Sequence, residues 1–373
     1  MAQSGAPLVV VAAGGTGGHL FPAEALSVAL GKRGAVVDLA TDERATRYGS
    51  AFPARATHVI PSATVRGRDP ISLARTVAML GFGTLKAWLL LGRLRPAAVV
   101  GFGGYPSIPP VMAASLRGIA TVIHEQNGVM GRANRLLSAR VTAIATGFAG
   151  VLDANPTLAR KAIHTGNPVR PAVVSAAATP YAIPDTRGPF QLIVFGGSQG
   201  ARVMSDVVPE GLAKLAPDLR GRLKIVQQAR AEDLERVRQA YAQAQIAAEV
   251  APFYSDLPVR VANSHLVIAR SGASTVAELA AIGRPSLLVP LPHALDQDQR
   301  ANAGVLERAG GAIRIDQSEF TPHRVAAEVT ALAADPGRLA GMARSAKSAG
   351  ALDAAERLAD LVLKVAGVLS PRQ

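Results

Sequence analysis

Side chains able to bind or move a charged group gather at four turns, each directly after a strand-length apolar run. The first is GGTGGH at 14–19, which carries Thr16 among glycines and ends in His19. Glycine lets backbone approach a ligand closely, and a helix that starts there offers unbonded N–H groups and a positive dipole end to an anion. The second, GFGGYPS at 101–107, puts Gly103, Gly104 and Tyr105 in the same setting, and the third, GGSQGA at 196–201, carries Ser198. The fourth, RSGAST at 270–275, is chemically fuller, because Ser271, Ser274 and Thr275 precede Glu278 on the helix that follows. Such a helix start suits a diphosphate, and the carboxylate suits a ribose diol. The plain alternatives are tight strand-to-helix connections, an ordinary N-cap at Ser274 and a dipole-favoured acid at Glu278.

Those turns need strands to hold them. Apolar runs at 8–13, 36–40, 97–101, 120–123, 191–195, 224–227, 265–269 and 286–289 alternate with helix-like segments. Continuous Val/Ile/Leu runs mark strands buried on both faces, so the class is α/β, with two doubly wound parallel units. A chain of 373 residues suits two domains. The turn-rich GNPVRP at 166–171, followed by a Pro- and Ala-rich stretch, sets the boundary between a domain at 1–165 and one at 166–351, and a last helix is predicted over 352–368. Ligands of parallel sheets bind at the carboxyl ends of the strands, which makes a cleft between the domains the expected site.

The chain has no cysteine, which excludes disulfides, thiolate zinc sites and a cysteine nucleophile. Its net charge is +13, with 17 Lys+Arg against 7 Asp+Glu in residues 1–165 and 23 against 20 beyond. The basic excess of the first half points to an anionic partner: nucleic acid, an acidic membrane surface or a phosphorylated substrate. Sparse aromatic interleaving speaks against nucleic acid, and the lack of a G-x-G-x-x-G turn with a following acid against a dinucleotide oxidoreductase. The start of the chain lacks the cationic region of a signal peptide, and no run of about 18 uncharged apolar residues occurs, so a cytoplasmic chain without a spanning helix is expected. From Ile71 to Arg95, however, Leu73, Val77, Leu80, Phe82, Leu85 and the only tryptophan, Trp88, stand among Arg75, Lys86 and Arg93, with Arg66 and Arg68 upstream. Apolar groups ringed by cations can dip into an anionic interface; the core packing of a long helix explains the same residues.

In order and spacing, GGTGGH at 14–19, GFGGYPS at 101–107, HEQN at 124–127, NPVR at 167–170, GGSQGA at 196–201 and SGASTVAE at 271–278 resemble the bacterial peptidoglycan glycosyltransferases that make lipid II, the undecaprenyldiphospho-muramoylpentapeptide β-N-acetylglucosaminyltransferases. The resemblance covers about residues 8–310. It implies a GT-B fold, two Rossmann-like domains with parallel sheets facing across a cleft. It also implies inverting transfer of N-acetylglucosamine from UDP-GlcNAc to the C4 hydroxyl of the muramoyl sugar of lipid I. The N-terminal domain would take the acceptor and the membrane, the C-terminal domain UDP-GlcNAc, and the segment 352–373 would pack back on the N-terminal domain. Matching positions implied for UDP-GlcNAc are Thr16, Gly17, Gly18, Asn127, Arg170, Ser198, Tyr254, Ala273, Ser274, Thr275, Val276, Ala277, Glu278 and Gln299. Gln297 is the alternative to Gln299, since the loop before it can differ by one residue, and Asn302 resembles a further donor-sugar contact. Gly103, Gly104 and Tyr105 are implied for the acceptor. The implied partners are UDP-GlcNAc, lipid I, an anionic membrane at the cytoplasmic face of the plasma membrane, and proteins of cell-wall synthesis and division. A different GT-B enzyme such as a UDP-GlcNAc 2-epimerase is the alternative; it would share the Glu278 region but not need the basic apolar patch.

An inverting transfer requires a base for the acceptor proton and stabilisation of the leaving UDP. His19 is the first candidate base, with binding of the acceptor diphosphate as its competing role. Glu125 is the second, and would have to be desolvated to act near neutral pH. Asp296-Gln297-Asp298 spells the D-x-D pattern of metal-dependent glycosyltransferases, yet two such acids arise easily in a polar loop, and the resemblance implies no required metal, with magnesium at most a weak stimulant. His58, His164, His293 and His323 show no ligand spacing.

Overall fold

A computed structural model describes residues 5–14, 17–43, 52–63, 70–197, 200–292 and 294–368, without the side chains of Ile71 and Leu295. Thr16, Arg66, Arg68, Ser198 and His293 therefore lie outside the described residues. The chain divides into two compact units, Met1–Arg170 with Leu352–Gln373, and Pro171–Ala351. The division falls after Arg170 and not after 165, so the NPVR segment belongs to the first unit.

The first unit holds strands β1 Leu8–Ala12, β2 Val36–Thr41, β3 Ala56–Val59, β4 Ala98–Gly101, β5 Ala120–Glu125, β6 Ala143–Thr146 and β7 Ala162–His164, in the order β3-β2-β1-β4-β5-β6-β7. Every neighbouring pair is parallel. Helices α1 Gly17–Lys32, α2 Pro70–Leu94, α3 Ile108–Leu116, α4 Arg132–Leu137 and α5 Pro156–Ala159 connect them. Alternate residues of β1 serve opposite faces: Val9 and Val11 join a core with Leu26 and Leu30 of α1, and Val10 and Ala12 one with Ala87 and Leu91 of α2. That two-sided burial is why β1 is an unbroken apolar run.

The second unit holds β8 Phe190–Phe195, β9 Leu223–Gln228, β10 Ala247–Ala251, β11 Leu266–Ala269, β12 Ser286–Leu288 and β13 Ala312–Arg314, in the order β10-β9-β8-β11-β12-β13, again all parallel. Its helices are α6 Pro171–Ala176, α7 Arg202–Ala213, α8 Pro217–Arg222, α9 Leu234–Gln243, α10 Leu257–Ala262, α11 Ala273–Ile282, α12 Asp298–Ala309, α13 Pro322–Ala333 and α14 Pro336–Ser348. The chain then returns to the first unit through α15, Ala354–Val365. Leu358, Ala359, Leu361 and Val362 of α15 are buried with Val9, Leu26 and Leu30, and Arg33, in the turn just after α1, clasps it through Asp360 at 2.8 Å and the Glu356 carbonyl at 3.2 Å.

In each sheet the strand order reverses between two central strands, β1 and β4 in the first, β8 and β11 in the second. Register puts Ala12 beside Gly101 and Phe195 beside Ala269. The chain thus leaves both central strands side by side, at the point where open α/β sheets bind ligands. All four chemistry-bearing turns stand at these two places.

Candidate active site

On the first unit, two glycine turns meet around one imidazole. Gly103 and Gly104 hold φ at 79° and 71°, a region that side chains resist, and a Cβ on Gly104 would stand 3.3 Å from His19 Nε2 and Cδ2. His19, in the first turn of α1, lays its ring on that bare backbone. Burial pulls its pKa below the ordinary histidine value, and the Phe102 backbone and the Gln126 side chain partly restore it. The ring is consequently neutral at pH 7, the form a base requires. Tyr105 follows in a short 3-10 turn, half-buried. Gly17 is buried against the Phe21 ring, while Gly18 is half-buried beside it.

Glu125 ends β5 and is 1% exposed. Four donors take its carboxylate: the Asn127 N–H at 3.0 Å and Asn127 Nδ2 at 3.3 Å on Oε1, the Gly131 N–H at 2.9 Å and Asn134 Nδ2 at 2.8 Å on Oε2. Burial pushes its pKa up and these donors pull it back. A base must offer a lone pair to substrate, and these are engaged, so the geometry makes Glu125 an anchor for the 126–131 loop and the start of α4. Asn127, half-buried, is held by that anchor. Its neighbour His124, wholly buried, contacts the Gly166 carbonyl at 3.1 Å through Nε2 and is pushed by burial down to about 4.

Arg170 also stands on this unit. Its guanidinium lies 4.1 Å from the Phe21 ring centroid and acts on Glu24, whose pKa burial raises and Arg170 lowers. Any contact it makes to a donor would come from the first unit.

On the second unit, β11 runs through Arg270-Ser271-Gly272 into α11. Gly272, not Ser274, is the N-cap, and it has no side chain with which to cap. Val276 is the first residue whose N–H bonds within the helix, to the Gly272 carbonyl at 3.0 Å, which leaves the N–H groups of Ala273, Ser274 and Thr275 outside the helix's own ladder. Val276 itself is fully buried and turned into the core, so neither its side chain nor its N–H is available to a ligand, whereas Ala273, Ser274, Thr275, Ala277 and Glu278 are half-buried. The helix start is braced from behind. Arg270 donates to the Val289 carbonyl at 3.1 Å, the Pro290 carbonyl at 2.9 Å and the Gln317 side chain, and buried Asn302 donates to the Ser271 carbonyl at 3.2 Å. Beside it, Gly197 and Gly200 hold φ at 82° and 66° in the turn after β8, and Arg230 packs on Gly200.

Gln299 lies in the first turn of α12, with its Oε1 accepting from the Leu291 N–H at 3.1 Å and its carbonyl from Ser271 Oγ at 2.8 Å. Gln297 is an exposed residue with φ of 52°. Asp298 accepts from the Gln299 N–H at 2.7 Å, and burial raises its pKa. Among the described residues no three His, Asp or Glu side chains gather as a metal-ligand set. Tyr254 turns its hydroxyl inward, donating to the Glu249 carbonyl at 3.0 Å, with Arg260 4.4 Å over its ring; only its backbone can serve a ligand. Phe253, 72% exposed beside it, is an aromatic surface that motif reading overlooked, because a lone phenylalanine in a loop carries no pattern. A cavity of about 440 Å³ lies among the first halves of β8, β9 and β10, away from the carboxyl ends and from these turns.

Helix α2 has one seated stripe and one bare one. Ala87 and Leu91 are buried, while Val77, Phe82 and Leu85 are 62%, 53% and 56% exposed. By length and composition α2 can cross a membrane, which amends the expectation that no such segment exists; its buried stripe instead seats it on the first unit. Lys86 lies 5.8 Å from the Phe82 ring centroid, and Arg117 lies 3.9 Å from that of Trp88 and donates to its carbonyl at 2.6 Å.

Residues 9–146 match the glycosyltransferase family 28 N-terminal domain and residues 191–358 the glycosyltransferase family 28 C-terminal domain. The chain is 63% identical over 363 residues to a UDP-N-acetylglucosamine–N-acetylmuramyl-(pentapeptide) pyrophosphoryl-undecaprenol N-acetylglucosamine transferase of Rhodopseudomonas palustris strain BisA53, covering 97% of each chain. It is 62% identical to the transferase of the same name from Nitrobacter hamburgensis, covering 98% of this chain and 99% of that one. Among solved structures it is similar to MurG of Acinetobacter baumannii, with a TM-score of 0.78 and 29% identity over 96% of this chain and 99% of that one. A UDP-N-acetylglucosamine 2-epimerase superposes with a TM-score of 0.66 at 15% identity, covering 99% of each chain, a likeness of fold alone.

Proposed function

The chain belongs to glycosyltransferase family 28 and has its GT-B fold, and we propose that it makes lipid II. It transfers N-acetylglucosamine from UDP-GlcNAc to the C4 hydroxyl of the muramoyl sugar of lipid I and releases UDP. The named relatives support this substrate pair over the epimerase reading.

The observation that carries the mechanism is the start of α11. Its Ala273, Ser274 and Thr275 N–H groups, glycine-capped and braced by Arg270 and Asn302, face the developing charge of the departing diphosphate, which a preorganised helix N-terminus stabilises without reorganisation. Glu278, one turn on, accepts the ribose hydroxyls. Phe253 offers its open ring to the base, and Gln299 or Gln297 the amide for the sugar. On the first unit, neutral His19 takes the proton of the acceptor hydroxyl, with Gly103, Gly104 and Tyr105 framing the acceptor and Asn127 and Arg170 reaching the donor. Inversion follows from direct attack without a covalent enzyme intermediate. Helix N–H groups carry the leaving-group charge in this account, so no metal is required and magnesium stimulates only weakly.

The exposed stripe of α2, with Lys86, Arg93 and Arg117 around it, holds the enzyme peripherally on the anionic cytoplasmic face of the membrane where the acceptor's lipid resides. The test is UDP release from UDP-GlcNAc with a lipid I analogue, with and without EDTA. Turnover that needs the analogue and survives EDTA supports the reading; UDP release without acceptor, or its abolition by EDTA, contradicts it.

A further inference from the structure

Register lines up the carboxyl ends of four strands in the second unit. Ala251 of β10 pairs with Gln228 of β9, Val194 of β8 with Gln227, and Phe195 of β8 with Ala269 of β11. The chain therefore leaves this sheet in a row: Phe253 after β10, Arg230 after β9, Gly197 and Gly200 after β8, and the start of α11 after β11. Neighbouring strands stand about 4.8 Å apart, so β9 is one step from the glycine turn and two steps, about 10 Å, from α11. Arg230 leans along the row towards β8 and β11. A Cβ on Gly200 would stand 3.0 Å from Arg230 Cγ, and Nη2 lies 3.4 Å from the Gly200 carbonyl.

A diphosphate ester carries a negative charge on each phosphate, and UDP gains another as it leaves. A helix start supplies the equivalent of about half a positive charge, so metal-free binding at α11 leaves an anion that needs a cation. Neighbouring guanidiniums are committed. Arg270 serves the Val289 and Pro290 carbonyls and Gln317, Arg260 pairs with Glu249 at 2.7 Å and Asp256 at 2.8 Å, and Arg236 with Asp206 at 2.7 Å and Asp233 at 2.6 Å. Arg230 is not saturated. Its Nε is buried with no hydrogen-bond partner among the described residues, the Gly200 contact is long for a hydrogen bond, and Glu232, 68% exposed, stands 3.9 Å from Nη1. A buried N–H left unpaired is costly, and a phosphate, which takes the edge of a guanidinium bidentately, relieves that cost.

We propose that Arg230 is a binding residue for the donor's diphosphate, clamping it from the side of the glycine turn while the Ala273, Ser274 and Thr275 N–H groups hold it from α11. The inference rests on the reading that seats the diphosphate at α11, and it adds the cation that stands where other transferases use a metal. As UDP departs, the guanidinium and the helix start share its charge.

The test measures binding to the full chain in EDTA, with UDP read by calorimetry and uridine by competition against UDP. Arg230→Met keeps a stem to pack on Gly200 and removes the charge. It should weaken UDP by roughly ten- to hundredfold, leave uridine within about twofold, and lower kcat, because the leaving-group charge grows in the transition state. Arg230→Lys, which keeps the charge and loses the fork, should recover part of the UDP affinity. UDP binding at the parent's strength in Arg230→Met, or an equal loss for UDP and uridine, as a merely structural hold on the turn would give, overturns the proposal. Ala273→Pro tests the underlying reading separately. Gly272 before it is extended, with φ of −60° and ψ of 151°, as a residue preceding proline prefers, so the change deletes one N–H from the helix start at little cost to folding. It should weaken UDP roughly tenfold. Unchanged UDP affinity in Ala273→Pro overturns the seat at α11, a failure visible apart from the Arg230 variants.

Discussion

Replacing Glu125 by glutamine separates an anchor from a base. The substitution changes one carboxylate oxygen into an NH2 group that must face two donors, either the Asn127 pair or the Gly131 N–H and Asn134 Nδ2. Two hydrogen bonds to a charged acceptor are lost, at about 1.5–3 kcal/mol each, and a neutral amide recovers part of this because it is cheaper to bury. The net destabilisation is about 2–4 kcal/mol, and for a unit of this size the melting temperature falls by roughly 5–15 °C. Calorimetry on the full chain reads the fall, and hydrogen exchange across residues 126–134 should show the loop opening. Turnover drops as well, because Asn127 and the backbone beside His19 lose their support. A Glu125→Gln enzyme with the parent's melting temperature and exchange pattern but no turnover would refute the anchor and return Glu125 to the role of base.

Three further outcomes are expected. His19→Ala should keep UDP binding and lose roughly 10²–10⁴-fold in kcat, the worth of a general base, and in the parent kcat/KM should fall on the acid side with a midpoint below 6.5, since burial lowers the His19 pKa; an acid limb above 6.5 would contradict this. His124, buried and pushed from 6.5 to about 4, is protonated more readily in the unfolded chain, so its stabilisation is full above 6.5 and is lost as pH falls from 6.5 towards 4, by about 3 kcal/mol at most. Denaturation against pH should show a shallower acid slope in His124→Asn than in the parent, and equal slopes would contradict it. Replacing Val77, Phe82 and Leu85 with serine should weaken binding to anionic vesicles by about 3 kcal/mol, some hundredfold, with little change in melting temperature, because these side chains are already exposed. Unchanged binding would leave α2 as ordinary surface.

Much of this architecture is legible in the sequence because two-sided burial writes itself as unbroken apolar runs. The eight runs at 8–13, 36–40, 97–101, 120–123, 191–195, 224–227, 265–269 and 286–289 correspond to β1, β2, β4, β5, β8, β9, β11 and β12. The strands that escape, β3, β6, β7, β10 and β13, are short or rich in alanine, and the edge strands β3 and β10 alternate or expose their side chains and so lack the run. Glycine turns are legible for a similar reason, since only glycine accepts the φ of 71° that brings Gly104 under His19. Polar partners are not. Glu125 reads as a free acid until its four donors, up to nine residues away, are seen, and Ser274 reads as an N-cap although the chain enters α11 at Gly272. Arg284 is the extreme case: nothing near it announces burial, yet its guanidinium is saturated by the carbonyls of Thr179, Pro180, Ala262, Ile282 and Gly283 and ties the end of α11 to the chain before β8. Such contacts depend on tertiary neighbours that no local pattern encodes.

A crystal structure of the full chain with UDP, grown in EDTA, measures directly where the diphosphate of UDP settles. The predicted result has diphosphate oxygens within about 2.7–3.2 Å of the Ala273, Ser274 or Thr275 N–H groups and the ribose on Glu278. UDP seated against the 14–19 turn or in the cavity between β8 and β10, or bound at α11 only when a metal bridges Asp296 and Asp298, would contradict it.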